Sequence, residues 1–292
     1  MSAMEVLKTK GELWNWIGSR RSRARTLVPT MGALHRGHAS LFDLAREKTP
    51  DGDVVATIFV NPAQFGPNED FDAYPRQLEA DLATCDRHGV DAVFTPAEGE
   101  MYQADASISI HEDEISEGLC GLSRDGHFDG VCTVVAKLFN LTQPHAAVFG
   151  EKDFQQLAVI RRLVRDLDFP IDIVGAPTVR EEDGLALSSR NAYLSVKQRE
   201  QAPVIFRTLS RVAKQIALSE CETPVDARES LVEEMDSVSE SRIDYVAVVD
   251  SETLEPLAEF GNSAPRLIVA VFFGKTRLID NVGISENVSD RQ

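Results

Sequence analysis

The stretch that decides the fold is Val28-Pro29-Thr30-Met31-Gly32-Ala33-Leu34-His35-Arg36-Gly37-His38. The apolar run Thr26-Leu27-Val28 leads into it. A helical pattern leaves it, with apolar side chains spaced for one buried face at Leu41, Leu44 and Ala45. This order predicts a strand, a tight turn and a helix. Two glycines in the stretch, Gly32 and Gly37, allow the backbone to approach a ligand closely.

The same stretch predicts a phosphate site. The first turn of the expected helix offers free N–H groups, which attract anions. His35 and His38 lie at that point, and imidazole donates to phosphate and stabilises developing negative charge. A lone histidine near a helix start is usually surface or a cap. Two histidines that bracket a glycine at a strand–helix turn favour a nucleotide phosphate site instead.

Composition and charge exclude several classes of protein. The chain has 292 residues and a net charge of −17, which argues against nonspecific nucleic-acid binding because such binding needs a basic surface. No stretch reaches the roughly 18 apolar residues of a membrane helix, and the first residues lack a secretory signal pattern. The four cysteines are scattered without metal-like pairing. A reduced cytoplasm is therefore expected.

Strands alternate with helices through the first half of the chain. The N-terminal region, residues 3–22, predicts an amphipathic helix carrying Trp14, Trp16 and Ile17. Later apolar runs predict strands at residues 53–59, 90–94, 146–149 and 171–174, with helices at 76–88, 131–141 and after 156. Such alternation predicts a parallel, doubly wound sheet, in which ligands bind at the carboxyl ends of the strands.

Polar residues follow three of these strands. Gln64 carries a donor and an acceptor amide, although alone it would be interpreted as a turn residue in water. Lys152 is a compact cation that suits phosphate, and beside Asp153 it also fits a solvated pair. The turn Ser188-Ser189-Arg190 suits a phosphate clamp but is common on surfaces. Asp81 is a weak candidate for a metal–phosphate group, and the metal ligands are otherwise left open.

Beyond residue 191 the pattern changes. Ser195 predicts a helix cap, and the spacing of Ile205, Leu209, Val212 and Ile216 predicts an amphipathic helix. Residues 225–235 predict a second helix, and residues 243–249 and 267–273 predict strands. A domain boundary is therefore expected near Arg180, giving domains at 1–180 and 181–292.

Several segments together resemble one family. His35-Arg36-Gly37-His38 resembles the HxGH signature of the nucleotidyltransferase superfamily. Residues 29–38, residues 59–66 followed by Tyr74-Pro75-Arg76, and Gly150-Glu151-Lys152-Asp153 with the glutamines after Phe154 are similar to the pantothenate synthetase family. Residues 126–131 also resemble its loop-to-helix segment, but Arg124-Asp125 departs from it because the family usually has proline after that arginine. The role of Arg124 and of residues 118–130 is left open.

The resemblance implies roles for individual residues. The catalytic residues it implies are His38, His35 and Lys152. It implies that Gln64 and Gln156 bind the substrates pantoate and β-alanine. ATP would be bound by Met31, Gly32, Ala33, Leu34, His35, Arg36, Gly37, His38, Gly150, Glu151, Lys152, Asp153, Val179, Leu187, Ser188, Ser189 and Arg190.

The expected fold is α/β, a Rossmann-like parallel sheet domain with a smaller α+β C-terminal lid domain. The resemblance implies a homodimeric, AMP-forming ligase that condenses pantoate with β-alanine through pantoyl adenylate, with ATP as substrate and Mg²⁺ on the phosphates. The Rossmann dinucleotide fingerprint and the Walker A pattern are absent, which disfavours a dehydrogenase or a P-loop kinase. Two alternatives stay open: another HxGH adenylyltransferase, and a non-catalytic nucleotide-binding module.

Overall fold

The computed structural model describes residues 3–67, 69, 71–261 and 264–284. The chain falls into two units along its length. The first unit comprises Met1–Glu117, Gly121–Glu151 and Gln156–Pro177, and the second comprises Gly118–Cys120, Lys152–Gln155 and Thr178–Gln292. Lys152 therefore groups with the second unit, although it follows a strand of the first. Among the described residues, no helix combines the length and apolar character needed to cross a bilayer.

The first unit is built on a six-stranded sheet whose neighbouring strands all run parallel. The strands are β1 (Glu5–Leu7), β2 (Arg25–Thr30), β3 (Asp53–Ile58), β4 (Ala92–Phe94), β5 (Ala146–Gly150) and β6 (Asp172–Ala176), in the order β1-β4-β3-β2-β5-β6. This sheet confirms the predicted parallel α/β architecture. The predicted strands are present as β2 to β6, with small shifts at their ends.

Helices connect these strands and bury apolar faces against the sheet. They are α1 (Lys10–Gly18), α2 (Arg36–Lys48), α3 (Leu78–Arg87), α4 (Glu98–Met101), α5 (His127–Thr142) and α6 (Phe154–Asp166). One core cluster joins α2 and α3 to the strands, with buried Val28, Leu41, Phe42, Ala45, Val54, Ala56, Cys85, Val90, Val93, Val148 and Ala176. Burial of this apolar surface is the main force that fixes the elements around the sheet.

The order of strands places a switch point between β2 and β5. From β2 the chain builds outward through β3 and β4, and β5 then pairs on the other side of β2. In open parallel sheets a ligand crevice lies at the carboxyl ends of such strands. The chain leaves these two strands at Thr30 and Gly150, where the sequence predicted the ligand-binding turns.

The N-terminal region differs from its prediction. Instead of one helix over residues 3–22, β1 pairs with β4, and α1 begins only at Lys10. Thr9 ends the extended segment because its side chain accepts from the Glu12 N–H while Glu12 bonds back, forming a capping box. Trp16 is buried on α1 and Trp14 is more than half exposed. The predicted apolar face therefore holds only in part.

The second unit is α+β, as predicted. Its helices are α7 (Val196–Gln201), α8 (Val204–Ala217) and α9 (Pro224–Asp236), and its antiparallel sheet has the order β7 (Ser241–Asp250), β8 (Pro265–Phe273) and β9 (Thr276–Gly283). Ser195 caps α7 as predicted, in a capping box with Gln198. A separate core fills this unit, including Leu209, Leu231, Val269 and Phe273.

Candidate active site

The turn after β2 is held by a buried carboxylate. Gly32 and Ala33 both have left-handed backbone, at φ 86° and 52°. The carboxylate of Asp81, on α3, accepts from the Ala33 N–H at 2.9 Å and from the Leu34 N–H at 2.8 Å. A Cβ on residue 32 would lie 2.9 Å from Asp81 Oδ2, so glycine is required there by both space and φ. Asp81, only 1% exposed, therefore shapes the turn.

The two histidines cap the helix that follows this turn. His35 is the extended N-cap residue of α2, and its Nδ1 accepts from the Gly37 N–H at 3.1 Å. In return, the His35 N–H donates to His38 Nδ1 at 3.3 Å, and the ring centroids lie 4.2 Å apart. A ring nitrogen that accepts a hydrogen bond carries no proton, so both neutral imidazoles hold their proton on Nε2.

The prediction that the first turn of α2 offers free N–H groups is wrong for Gly37 and His38. The Gly37 N–H already donates to His35 Nδ1, and the His38 N–H donates to the His35 carbonyl at 2.8 Å. The His35 side chain and its carbonyl thus take up two groups that would otherwise bind an anion. The ring proton of each histidine is on Nε2, so the donor protons of these side chains lie there rather than on Nδ1.

Gln64 occupies a rigid position after β3. It closes a short helix over Pro62–Gln64, and its Nε2 donates to Met31 Sδ at 3.3 Å. Asn61 donates to Gln64 Oε1 at 3.1 Å and to the Gly130 carbonyl at 3.1 Å. The structure thus brings two predicted site residues, Met31 and Gln64, into contact.

Asn61 contacts the predicted site residue Gln64 and was not itself singled out in the sequence. Its side chain is buried, and its Oδ1 accepts from the Tyr102 hydroxyl at 2.7 Å. Burial raises the pKa of Tyr102 to about 12, so the hydroxyl keeps its proton and remains the donor. The signal available in the sequence was the Asn-Pro pair directly after a strand, which is typical of a turn with a side-chain cap.

Gly130 lets α5 approach this turn closely. A Cβ at that position would lie 2.2 Å from the Ala63 carbonyl oxygen, closer than any real contact. The backbone of α5 therefore packs directly on the short helix that presents Gln64. The bond from Asn61 to the Gly130 carbonyl depends on this approach, and Asn61 and Met31 together fix the orientation of the Gln64 amide.

Lys152 lies in a short helix over Glu151–Asp153. Lys152 and Asp153 group with the second unit, whereas Gly150 and Glu151, which precede them, group with the first. The Lys152 carbonyl accepts from Asn281 Nδ2 at 3.0 Å, and Arg266 donates to Asn281 Oδ1. Its ammonium is 4.0 Å from Asp153 Oδ2. Lys152 is therefore fixed by its backbone, while its ammonium forms only a loose contact with Asp153.

The segment from Val179 to Arg190 forms one local structure in the second unit. The Leu187 N–H donates to the Val179 carbonyl at 3.0 Å, and Ser188 accepts from the Arg190 N–H at 3.3 Å as the cap of a short helix over Ser189–Tyr193. Five predicted ATP-binding residues, Val179, Leu187, Ser188, Ser189 and Arg190, therefore lie in one hairpin and the short helix that follows it.

The two glutamines of α6 differ in their surroundings. Gln155 is buried, accepts from the Cys120 N–H at 2.9 Å and donates to the Gly118 carbonyl at 2.8 Å. It anchors residues 118–120 within the second unit, a role the sequence did not indicate. Gln156 is half-buried and belongs to the first unit.

A resident metal cage is not visible among the residues that the structure describes: no group of three His, Cys, Asp or Glu side chains could hold an ion. Both oxygens of Asp81, the weak metal candidate, accept backbone N–H groups. Mg²⁺ commonly binds through substrate phosphates and only one or two carboxylates.

Known proteins resemble this chain over nearly its whole length. Residues 5–283 match the family model described as pantoate-beta-alanine ligase. The chain is 50% identical over 286 residues to pantothenate synthetase of Moorella thermoacetica, covering 97% of this chain and 100% of the relative. It is 53% identical to the Akkermansia muciniphila pantothenate synthetase, covering 96% and 99%.

Solved structures give the same result. The crystal structure of pantothenate synthetase from Thermus thermophilus matches with a TM-score of 0.89 at 47% identity, covering 96% of this chain and 99% of that one. The Francisella tularensis pantoate-beta-alanine ligase, solved with beta-gamma ATP and beta-alanine, matches with a TM-score of 0.79 at 34% identity, covering 96% and 97%. The chain therefore belongs to the pantoate–beta-alanine ligase family.

Proposed function

We propose that this ligase activates pantoate with ATP to give pantoyl adenylate and pyrophosphate, and then transfers the pantoyl group to β-alanine to give pantothenate and AMP. The observation that carries the proposal is the paired imidazole cap at the end of β2, with both Nε2 atoms protonated. The Francisella relative, solved with beta-gamma ATP and beta-alanine, supports the choice of ligands.

The first step is a displacement at the α-phosphorus. A carboxylate oxygen of pantoate forms a bond to phosphorus, and the bond to the bridging oxygen breaks, so that pyrophosphate leaves with the electron pair. Such transfers depend mainly on positioning and charge stabilisation. His35 and His38 would donate Nε2–H groups to the phosphate oxygens, and Lys152 would add a positive charge. Mg²⁺ would enter as part of the nucleotide substrate.

The second step is acyl transfer without a covalent enzyme intermediate. The neutral amine of β-alanine attacks the acyl carbon of pantoyl adenylate, the bond to the AMP oxygen breaks, and the nitrogen loses a proton. We assign ATP binding to residues 31–38, 150–153, Val179 and 187–190. By the same resemblance we propose a homodimer in the cytoplasm, and sedimentation of the purified chain tests the dimer.

Pyrophosphate exchange tests the order of steps. If the adenylate forms before amine attack, pantoate alone should support exchange of labelled pyrophosphate into ATP. Addition of β-alanine should then give pantothenate and AMP in equal amounts. Exchange that requires β-alanine would contradict a free adenylate. Activity with a different carboxylate or phosphate ester would favour another adenylyltransferase, and ATP binding without turnover would favour a non-catalytic module.

The two glutamines give a second test. Gln64→Ala or Gln156→Ala should weaken pantoate binding by about 10- to 100-fold, the scale for losing a hydrogen bond to a charged group, and leave ATP binding unchanged. Titration calorimetry with each ligand measures both. Gln103→Ala is the matched control, because Gln103 is exposed and bonds only weakly to its own helix region. Weaker ATP binding with unchanged pantoate binding would contradict the assignment.

A further inference from the structure

A chain of polar contacts runs from Glu69 to the backbone of Gln64. Arg124 Nε donates to Glu69 Oε1 at 2.6 Å, and Arg124 Nη2 donates to Glu69 Oε2 at 2.7 Å. The ion pair is bidentate, the arrangement in which a guanidinium binds a carboxylate most strongly. Only 17% of the Arg124 side chain and 23% of the Glu69 side chain are exposed, so water screens this pair weakly.

His127 continues the chain inward. Its Nε2 lies 2.9 Å from Arg124 Nη1, and its Nδ1 lies 2.8 Å from the Gln64 carbonyl oxygen. A guanidinium has only donors, so Arg124 donates and Nε2 accepts. The neutral ring then carries its proton on Nδ1 and donates to Gln64. Arg124 thereby selects the tautomer that holds the Gln64 backbone.

The contacts between Glu69 and Arg124 determine the charge state of Glu69. Burial of Glu69 favours its neutral form, but the hydrogen bonds and charge of Arg124 outweigh burial and lower the pKa of the carboxyl. Glu69 therefore stays ionised at neutral pH. An ionised Glu69 holds Arg124 in the orientation that reaches His127.

Gln64 is thus held at both ends. Its carbonyl accepts from His127, and its amide contacts Asn61 and Met31. We propose that Arg124 and His127 are positioning residues for pantoate, acting through Gln64, and that Glu69 fixes Arg124 for this purpose. This inference rests on the proposed function. It gives a role to Arg124, which directly precedes Asp125, the residue at which the sequence departs from the family pattern.

The test compares how each substitution changes the KM for pantoate and the KM for ATP. Arg124→Gln should raise the KM for pantoate about 10-fold, the lower end for losing a charge-assisted hydrogen bond, while the KM for ATP stays at the wild-type value. The exchanged pair Glu69→Arg with Arg124→Glu should not recover this loss, because a carboxylate at position 124 accepts rather than donates and so cannot bond to an unprotonated His127 Nε2. Arg87→Gln is the control, because exposed Arg87 bonds only within α3.

His127 provides a rescue test. Asparagine places an amide N–H where Nδ1 lies, so His127→Asn should keep the bond to Gln64 and retain most of the pantoate affinity. His127→Ala should lose that affinity. If His127→Ala fails to fold, the comparison of Arg124→Lys with Arg124→Gln decides, because lysine keeps one charged donor and should retain a lower KM for pantoate.

The outcomes separate the two proposals. A wild-type chain that makes no pantothenate overturns the proposed function itself. An active wild-type chain, with Arg124 variants that change neither Michaelis constant or change both equally, overturns the positioning role. Selective change in the pantoate constant, with pantoate affinity retained in His127→Asn, supports it.

Discussion

The His38→Ala variant is expected to lose about 10²- to 10³-fold in the rate of adenylate formation, the scale for removing one transition-state donor. The reason lies in the cap of α2. His38 accepts from the His35 N–H at 3.3 Å through Nδ1, which leaves its proton on Nε2. On the proposed mechanism that Nε2–H stabilises charge that develops on the transferring phosphate. Pyrophosphate exchange with pantoate and ATP measures the rate.

Two further variants separate chemistry from capping. His38→Asn keeps an acceptor oxygen where Nδ1 lies, so it should preserve the cap but lose nearly as much rate as His38→Ala. His88→Ala is the matched control, because His88 lies at the end of α3 and pairs with Asp43 at 2.7 Å. A folded His38→Ala variant with a near-normal exchange rate would remove His38 from the mechanism.

The fold was largely predictable because its signals are local. The continuous apolar run at residues 53–59 indicates a buried strand, and the apolar spacing after His38 indicates a helix with one buried face. In the first unit the prediction failed where the element was too short to show a periodic pattern. The strand Glu5–Leu7 spans three residues and is defined by its pairing with β4. The Thr9-to-Glu12 capping box was a readable sign that a helix starts at Lys10.

The second unit shows a different limit. The apolar face of α8 was evident from its spacing, a second helix was predicted where α9 lies, and both helices are confirmed. The strand Thr276–Gly283 was missed because charged and polar residues interrupt its apolar positions. It forms because β8 offers it a full antiparallel partner, which is information from tertiary structure rather than from local sequence.

The motifs of the candidate site could be found in the sequence, but the contacts that hold those motifs in place could not. His35, His38 and Gln64 follow strands, and the sequence alone indicates that such positions meet ligands. Asp81 lies nearly fifty residues from the turn that it holds, and nothing local to it indicates that its oxygens accept the Ala33 and Leu34 N–H groups. The bond from Asn281 to the Lys152 carbonyl is equally remote in sequence. Long-range polar contacts therefore account for what sequence reasoning missed.

The second large effect concerns the stability of the second unit. Arg180 makes two bonds to Asp280, at 2.6 and 2.9 Å, and its guanidinium lies 3.6 Å from the centre of the Phe206 ring. Asp280 is 3% exposed. Removing one member of a buried pair leaves the other charge uncompensated, which costs about 3–5 kcal/mol. Asp280→Ala is therefore expected to lower the free energy of unfolding by about that amount.

The comparison that tests this prediction is with an exposed pair in the same unit. Arg199 and Asp183 form a surface ion pair, which is worth about 0–1 kcal/mol, so Asp183→Ala should change the unfolding free energy little. Replacing both buried partners, in Arg180→Met with Asp280→Leu, should recover much of the loss, because no unpaired charge remains. Urea unfolding measures all three variants. Equal, small losses for Asp280→Ala and Asp183→Ala would mean that solvent compensates Arg180 and that the pair does not stabilise the unit.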